Sequence, residues 1–155
     1  MPVKPIPDGY SSITPYLYIR GASAAIDFYK KAFGAQELFR LPGPDGRIGH
    51  AELKIGNAIV MLADEHPEAN AISPQTLNGT SVGILFYVNG VDDVIARAVA
   101  GGAKIELPTQ NQFYGDRSGT IVDPFGHKWT VATHVENVSP EEMESRIKKM
   151  QPPQQ

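Results

Sequence analysis

The chain has 155 residues, close to one typical domain, and a chain of this length can bury about 70 % of its unfolded surface on folding. Hydrophobic residues make up 41 % and charged residues 20 %, which argues against a disordered or fibrous chain. A net charge of −3 without a basic run speaks against nucleic-acid binding, and the absence of cysteine excludes disulfides, thiolate catalysis and cysteine metal sites.

Residues 1–11 are predicted to form an extended tail. Pro2, Pro5 and Pro7 favour an extended backbone, and the tail lacks the apolar stretch of a secretory signal. No run in the chain approaches the roughly 20 apolar residues that span a bilayer. We therefore expect a cytoplasmic protein that does not insert into membranes.

An internal repeat organises the chain after the tail. The segment Tyr18–Gly21 recurs as Tyr87–Gly90, 69 residues later, and in each copy a helical pattern follows. Further anchors recur 70 residues apart, where Arg47, Gly49 and Gly56 correspond to Arg117, Gly119 and Gly126. The repeat predicts two modules of strand, helix and three strands, over residues 12–64 and 81–136, joined by a loop over residues 65–80.

In the first module, apolar residues at helical spacing predict a helix over residues 22–33, which Gly34 ends. A strand begins at Ala35, and the pairs Asp45–Gly46 and Gly56–Asn57 indicate hairpin turns. These signals predict three consecutive strands after the helix.

In the second module, Asp92 is the predicted N-cap of a helix over residues 93–100, which Gly101 and Gly102 end. A strand begins at Ala103, and the segment Pro124–Gly126 marks the last turn. Beyond the modules, residues 137–155 are predicted to hold a helix that begins with the capping box Ser139–Glu142, and residues 151–155 are expected to fray.

Two such units, with Ile26–Tyr29 in the first helix and Asp123–His127 before the last strand, resemble the vicinal oxygen chelate superfamily of glyoxalase I, bleomycin-resistance proteins and extradiol dioxygenases. The segments Gly49–Leu53 and Gly115–Gly119 are similar to its PhnB-like branch. The resemblance implies an α+β fold in which two tandem βαβββ modules form curved sheets around a cavity, with a C-terminal helix added here. It also implies a homodimer.

The same resemblance locates the metal-ligand positions of the superfamily at Thr14, Met61, Gly83 and Thr130. A hydroxyl, a thioether and a glycine do not bind Zn, Ni or Fe with useful affinity, so we expect no metal cofactor. The alternative is a divalent metal held by an unconventional set such as His50, Glu52 and His134, or by Asp64 or Glu65 if the fourth strand runs longer.

Strand alternation predicts which side chains share a face. On the first strand, Thr14, Tyr16 and Tyr18 lie on the face that is expected to line the cavity. Ile13, Leu17 and Ile19 lie on the opposite face and would pack against the helix. On the third strand His50 and Glu52 lie opposite the apolar set, so His50 is a candidate base or hydrogen-bond donor and Glu52 a candidate acid–base carboxylate. The alternative is that the two tyrosines are ordinary strand residues and that the pair lies on a solvent-facing edge.

Four other sites carry sequence hypotheses. Phe113 and Tyr114 would form a lid over a planar ligand while Arg117 pairs with its anionic group, or Asp116 and Arg117 would form an ion pair that fixes a hairpin. Trp129 is expected in the core. His127 is expected to bond to backbone groups of the Asp123 turn, and His66 to be exposed.

These observations predict that the chain binds a small organic molecule by sequestration. The predicted metal-free cavity is lined by Tyr16, Tyr18, His50, Glu52, Met61 and Leu85. An alternative is an enzyme of the same superfamily, a lyase, isomerase or dioxygenase-like protein that uses an unconventional metal site or acid–base chemistry through His50 and Glu52. A third alternative is a dimer module without a ligand.

Overall fold

The computed structural model describes residues 2–151, so Met1 and most of the segment predicted to fray lie outside the described residues. The first module contains β1 (Tyr16–Ile19), α1 (Ala22–Phe33), β2 (Gln36–Pro42), β3 (Ile48–Ile55) and β4 (Ala58–Asp64). The second contains β5 (Gly83–Tyr87), α3 (Val91–Ala100), β6 (Lys104–Asn111), β7 (Asp116–Val122) and β8 (Lys128–His134). The helices α2 (Pro74–Leu77) and α4 (Pro140–Met150) lie outside the modules.

Each module forms one four-stranded sheet. The strand orders are β1-β4-β3-β2 and β5-β8-β7-β6, with β1 parallel to β4 and β5 parallel to β8. The remaining neighbours pair antiparallel. This arrangement confirms the predicted α+β fold of tandem βαβββ modules with a C-terminal helix.

A side chain from the last strand of each module anchors the start of its helix. In the first module Asp64 Oδ1 accepts the amides of Gly21 and Ala22 at 3.1 and 2.9 Å. In the second, Thr133 stands at the equivalent position, where its hydroxyl accepts the amide of Val91 at 3.2 Å. Both contacts satisfy amides that a helix leaves without an internal partner, so the helices are fixed to their sheets.

The two modules share one core, which lies between the sheets and their helices. Helix α1 packs against α3 and reaches both sheets, since Tyr29 and Phe33 lie against Trp129 with ring centroids 5.4 and 4.8 Å apart. Trp129 is 1 % exposed, which confirms the sequence prediction. One face of each sheet is thereby covered, and the other, called the open face below, carries the candidate site.

The buried carboxylate of Asp123 ties the modules together. Its Oδ1 accepts the amides of Phe125 and His127 at 2.9 and 3.0 Å, and its Oδ2 accepts the Trp129 indole N–H at 2.9 Å and the Tyr29 hydroxyl at 2.5 Å. Burial, with the neighbouring charge of Asp123, raises the pKa of Tyr29 well above its ordinary value. The tyrosine therefore stays a hydrogen-bond donor at neutral pH.

The segment between the modules has more structure than its composition predicts. It contains a 3-10 turn at Pro67–Ala69 and α2, whose N-cap Ser73 accepts the amide of Thr76 at 3.3 Å. Glu65 bonds to the Ser73 amide and to Arg20 and Thr76, and these bonds, that of Ser73 first, lower its pKa to about 2. The segment is therefore fastened to the end of the first strand.

Two local predictions are wrong. Helix α3 begins at Val91 with Gly90 as N-cap, because the Asp92 side chain pairs with Arg117 instead of capping. Ile13 is 86 % exposed and precedes β1, so it does not pack against the helix as Leu17 and Ile19 do. Ser139 caps α4 as predicted, by accepting the Glu142 amide at 3.2 Å.

Among residues 2–151 no helix is long and apolar enough to cross a membrane.

Replacing Tyr29 with Phe is expected to lower the free energy of unfolding by about 1–3 kcal/mol, because it removes a buried donor from Asp123. Urea denaturation followed by circular dichroism measures this. Tyr114→Phe, at a ring that is 39 % exposed, is the matched control and should change stability by less than about 0.5 kcal/mol. Equal midpoints for the two variants would contradict the role assigned to Asp123.

Candidate functional site

Strand β3 carries the polar centre of the candidate site. Its alternate residues Ala51, Leu53 and Ile55 are buried in the shared core, which turns His50 and Glu52 to the open face of the first sheet. Glu52 is nevertheless only 5 % exposed, since strands on both sides and the N-terminal tail surround it. His50 and Glu52 therefore lie on the same face of the sheet, as predicted, with the imidazole half-buried and the carboxylate buried.

A chain of hydrogen bonds runs through this pair. The Tyr16 hydroxyl lies 2.8 Å from His50 Nδ1, and His50 Nε2 lies 3.0 Å from Glu52 Oε1. The second carboxylate oxygen, Oε2, accepts the hydroxyl of Tyr10 from the tail. If Nε2 carries the imidazole proton, every link has one donor and one acceptor, and the bonds from both ends of the chain point towards Glu52.

Aromatic rings enclose the imidazole of His50. The rings of Tyr16 and Phe39 have centroids 5.5 and 5.8 Å from it, and Tyr18 lies 5.3 Å from Tyr16. Phe39 is a site residue that the sequence reasoning missed, because irregular pairing in β2 interrupts the alternation from which faces are inferred.

The carboxylate also acts on the neighbouring phenols. The hydrogen bond to Glu52 is the main cause that raises the pKa of Tyr10, and desolvation, followed by the charges of Tyr18 and Glu52, raises the pKa of Tyr16. Both tyrosines therefore remain protonated donors over the physiological range.

Two pockets adjoin the chain of hydrogen bonds. The first, called the tail pocket, has a volume of about 480 Å³ and lies between the tail and the first sheet. Of the sequence-predicted residues it contains Thr14, Glu52 and Met61. The tail and the first residue after it form the rest of its wall: Pro5, Ile6, Pro7, Tyr10, Ser11 and Ser12.

The second, called the apolar pocket, has a volume of about 500 Å³ and lies where β1 and β5 approach each other. Four of the predicted ligand residues line it: Tyr16, Tyr18, Gly83 and Leu85. The connecting segment adds Ile72, Pro74 and Leu77, which sequence reasoning missed because their distance along the chain hides their approach to β1. Tyr16 connects this pocket to the chain of hydrogen bonds, since its ring lines the pocket and its hydroxyl bonds to His50.

The remaining predicted residues lie elsewhere. Thr130 is on the open face of the second sheet, where it pairs with Leu85 in register and its hydroxyl lies 2.9 Å from that of Thr120. Phe113 and Tyr114 are in the β6–β7 turn with rings 5.2 Å apart, and α4 holds this turn through Arg146, which donates to the Phe113 carbonyl at 3.0 Å. The turn is thus fastened to α4, unlike the hinged lid of the sequence hypothesis.

Arg117 faces the helix layer rather than the open face. It forms a two-pronged ion pair with Asp92 of α3 at 2.8 Å, so the predicted pair with Asp116 is wrong. Asp116 instead accepts the Tyr87 hydroxyl at 2.8 Å and contacts His134 Nδ1 at 2.8 Å. Arg117 has no part in the open-face cluster.

The other histidines have separate surroundings. His127 donates from Nε2 to the Tyr18 carbonyl at 3.2 Å and lines the apolar pocket, and burial lowers its pKa. Its backbone amide bonds to Asp123, in keeping with the predicted role in that turn. His134 contacts Asn137 and Asp116, which together raise its pKa, and His66 contacts Glu68.

The residues at the superfamily's metal positions do not fit a metal. Thr14, Met61, Gly83 and Thr130 offer no imidazole or carboxylate, and no group of three or more His, Asp or Glu side chains within residues 2–151 could hold an ion. His134 bonds to Asp116 on the second sheet, apart from His50 and Glu52. We therefore derive no chemistry through a metal.

Comparisons with known proteins agree with this architecture. The family model of the glyoxalase/bleomycin resistance protein/dioxygenase superfamily matches residues 12–131. An uncharacterized protein of Mycobacterium bovis is 41 % identical over 139 residues, which cover 88 % of this chain and 91 % of that protein.

Solved structures have the same fold. TioX of Micromonospora sp. ML1 is 29 % identical with a TM-score of 0.64, covering 81 % of this chain and 99 % of that one. The fosfomycin resistance protein FosX of Listeria monocytogenes is 18 % identical with a TM-score of 0.60, covering 89 % and 99 %, and its likeness is one of fold alone.

Replacing Glu52 with Gln is expected to lower the pKa of Tyr10 and of Tyr16 towards the ordinary value of 10, because the carboxylate that favours their protonated forms is gone. NMR titration of tyrosines labelled at the ring carbon bearing the hydroxyl measures each pKa. Tyr87, whose pKa is raised by Asp116, is the internal control and should not move. Unchanged titration of Tyr10 would show that its hydroxyl does not bond to Glu52 in solution.

Proposed function

Since the chain belongs to the glyoxalase/bleomycin resistance protein/dioxygenase superfamily, we propose that it binds a small organic molecule in a metal-free cavity between β1 and β5, and that it acts by sequestering that molecule. The observation that carries the proposal is the apolar pocket, half enclosed and about 500 Å³ in volume. Concave, mostly apolar pockets with a few polar groups are typical of small-molecule sites.

The walls of this pocket support an aromatic or aliphatic ligand body. Tyr16, Tyr18 and Leu85 offer apolar surface, and enclosure of such surface is the main source of affinity in sequestration. A polar end of the ligand would meet His50 and Glu52 through the Tyr16 hydroxyl. Thr14 and Met61 would contact it in the tail pocket.

Gly83 offers a direct test, because a β-carbon there meets no atom within 4 Å and its backbone does not require glycine. Gly83→Phe is expected to fill the apolar pocket, leave the fold intact and raise the Kd of the neutral fluorophore N-phenyl-1-naphthylamine about tenfold or more. Fluorescence titration measures this. Ala96→Phe, on the exposed side of α3, is the matched control. A wild-type protein that does not bind the fluorophore, or a Gly83→Phe variant that binds it equally well, would argue against this pocket.

We further propose that the protein is a homodimer, formed through the open faces of the sheets. Leu41, Leu85, Tyr87 and Leu107 are 52–60 % exposed on these faces, and apolar side chains exposed on one side of a sheet favour an interface with a partner. Membership of the PhnB-like branch is proposed on the segments Gly49–Leu53 and Gly115–Gly119. The cytoplasmic location stays a prediction.

The dimer proposal predicts sedimentation at twice the chain mass of 16.8 kDa. Leu107→Lys is expected to shift the protein towards the monomer, because it puts a charge on the open face of the second sheet. Val99→Lys, on the outer side of α3, should leave the mass unchanged. Sedimentation of the wild type as a monomer at 100 µM would rule the proposal out.

A second candidate function is acid–base catalysis without a metal, as in an isomerase or lyase. The observation that favours it is the hydrogen-bonded chain from Tyr16 through His50 to Glu52 and Tyr10, which joins a buried carboxylate to an imidazole. The two functions differ in one measurable respect. A catalyst must lose turnover in His50→Ala while it keeps its fold, whereas a sequestering protein has no turnover to lose.

A further inference from the structure

Glu52 is a buried carboxylate whose nearest partners are a phenol and an imidazole. The Tyr10 hydroxyl bonds to one oxygen, and His50 contacts the other at 3.0 Å. Because His50 Nδ1 faces the Tyr16 hydroxyl at 2.8 Å, both nitrogens of the imidazole have a hydrogen-bond partner. Within residues 2–151, His50 is the basic side chain that lies within ion-pairing distance of Glu52, and no Lys or Arg lines the tail pocket.

Glu52 has few hydrogen-bond partners for a carboxylate at this depth. A buried carboxylate is costly unless a cation or several hydrogen bonds offset its lost hydration. Two other carboxylates of the fold, Glu37 and Asp123, have such partners, whereas Asp116, also 5 % exposed, accepts one tyrosine hydroxyl and contacts one histidine as Glu52 does. Glu37 pairs with Lys30 and Arg40, and Asp123 accepts four donors. Glu52 has two hydrogen-bond partners and lies at the wall of the tail pocket, so a cation from outside the chain would add a countercharge and further hydrogen bonds.

The side chains around Glu52 also favour a cation. Phe39 and Met61 are its partners in register on the neighbouring strands, and the ring of Tyr16 lies beside His50. The faces of aromatic rings attract ammonium groups, most strongly where water is excluded. A thioether is polarisable and adapts to varied apolar shapes.

The Tyr10 hydroxyl occupies the position at Glu52 Oε2 where a donor group of a ligand would bind. Tyr10 belongs to the tail, which forms no helix or strand over residues 2–15, and it reaches Glu52 across 42 residues of sequence. A hydroxyl that donates one bond to a carboxylate is replaced without loss by an ammonium N–H, which donates a stronger, charge-assisted bond.

We infer that this site selects organic cations: an ammonium group bonds to Glu52 in place of the Tyr10 hydroxyl, and the apolar body of the same molecule rests against Tyr16 and Tyr18. The inference rests on the proposed function and adds the chemical class of the ligand. It requires that charge, and not only apolar area, decides which molecules bind.

The test uses two probes of nearly equal shape, 4-phenylbutylamine and 4-phenylbutanol, at pH 7.5 with the full chain. Isothermal titration calorimetry is expected to give the amine a Kd about tenfold or more below that of the alcohol. Glu52→Gln should abolish this preference and leave the alcohol's Kd within about twofold. Tyr10→Phe should strengthen binding of the amine alone, because the competing donor is removed.

Glu37→Gln is the matched control, since this carboxylate already pairs with Lys30 and Arg40 on the helix side of the sheet, and it should keep the preference. Circular dichroism confirms that each variant is folded. Equal affinities of the wild type for both probes, or binding of neither while N-phenyl-1-naphthylamine binds, would overturn the cation inference and leave the proposed function standing. Failure of the fluorophore as well would overturn both.

Discussion

The Asp123 carboxylate holds α1 in a position where the helix packs against both sheets. Three of its four donors belong to the second module, and the fourth is the Tyr29 hydroxyl on the helix of the first. Because Tyr29 and Phe33 lie against Trp129, one helix supplies core surface to two sheets. This shared helix brings β1 near β5, and the apolar pocket lies at that junction. A buried, hydrogen-bonded carboxylate behind the pocket thereby determines whether the pocket has two walls or one.

Much of the fold could be predicted from the sequence, because its signals are local. Helix α1 occupies residues 22–33 as predicted, since apolar spacing marks its length and Gly34 adopts the left-handed conformation that ends it. The start of α3 was misplaced because an acidic residue near a helix start can cap the helix or reach a distant arginine, and Asp92 does the latter. The helix α2 was missed because a single turn has too few residues for a detectable period.

The candidate site was less predictable, because it depends on contacts between distant residues. Alternation along β3 indicated that His50 and Glu52 share a face, but no periodicity connects a tail residue such as Tyr10 to that strand. Phe39 was hidden by the irregular pairing of β2. Arg117 is a ligand candidate in the sequence because its charge follows two aromatic residues in one segment, and no local signal points to its partner Asp92 on α3.

The connecting segment has a consequence for how this architecture can change over generations. Ile72, Pro74 and Leu77 form one side of the apolar pocket, yet they lie outside the repeated units and are fastened mainly through Glu65. Surface connections tolerate substitution, insertion and deletion better than the strands they join. Changes confined to this segment would therefore give descendants of this chain a differently shaped pocket, while the duplicated halves and their common interior stay intact.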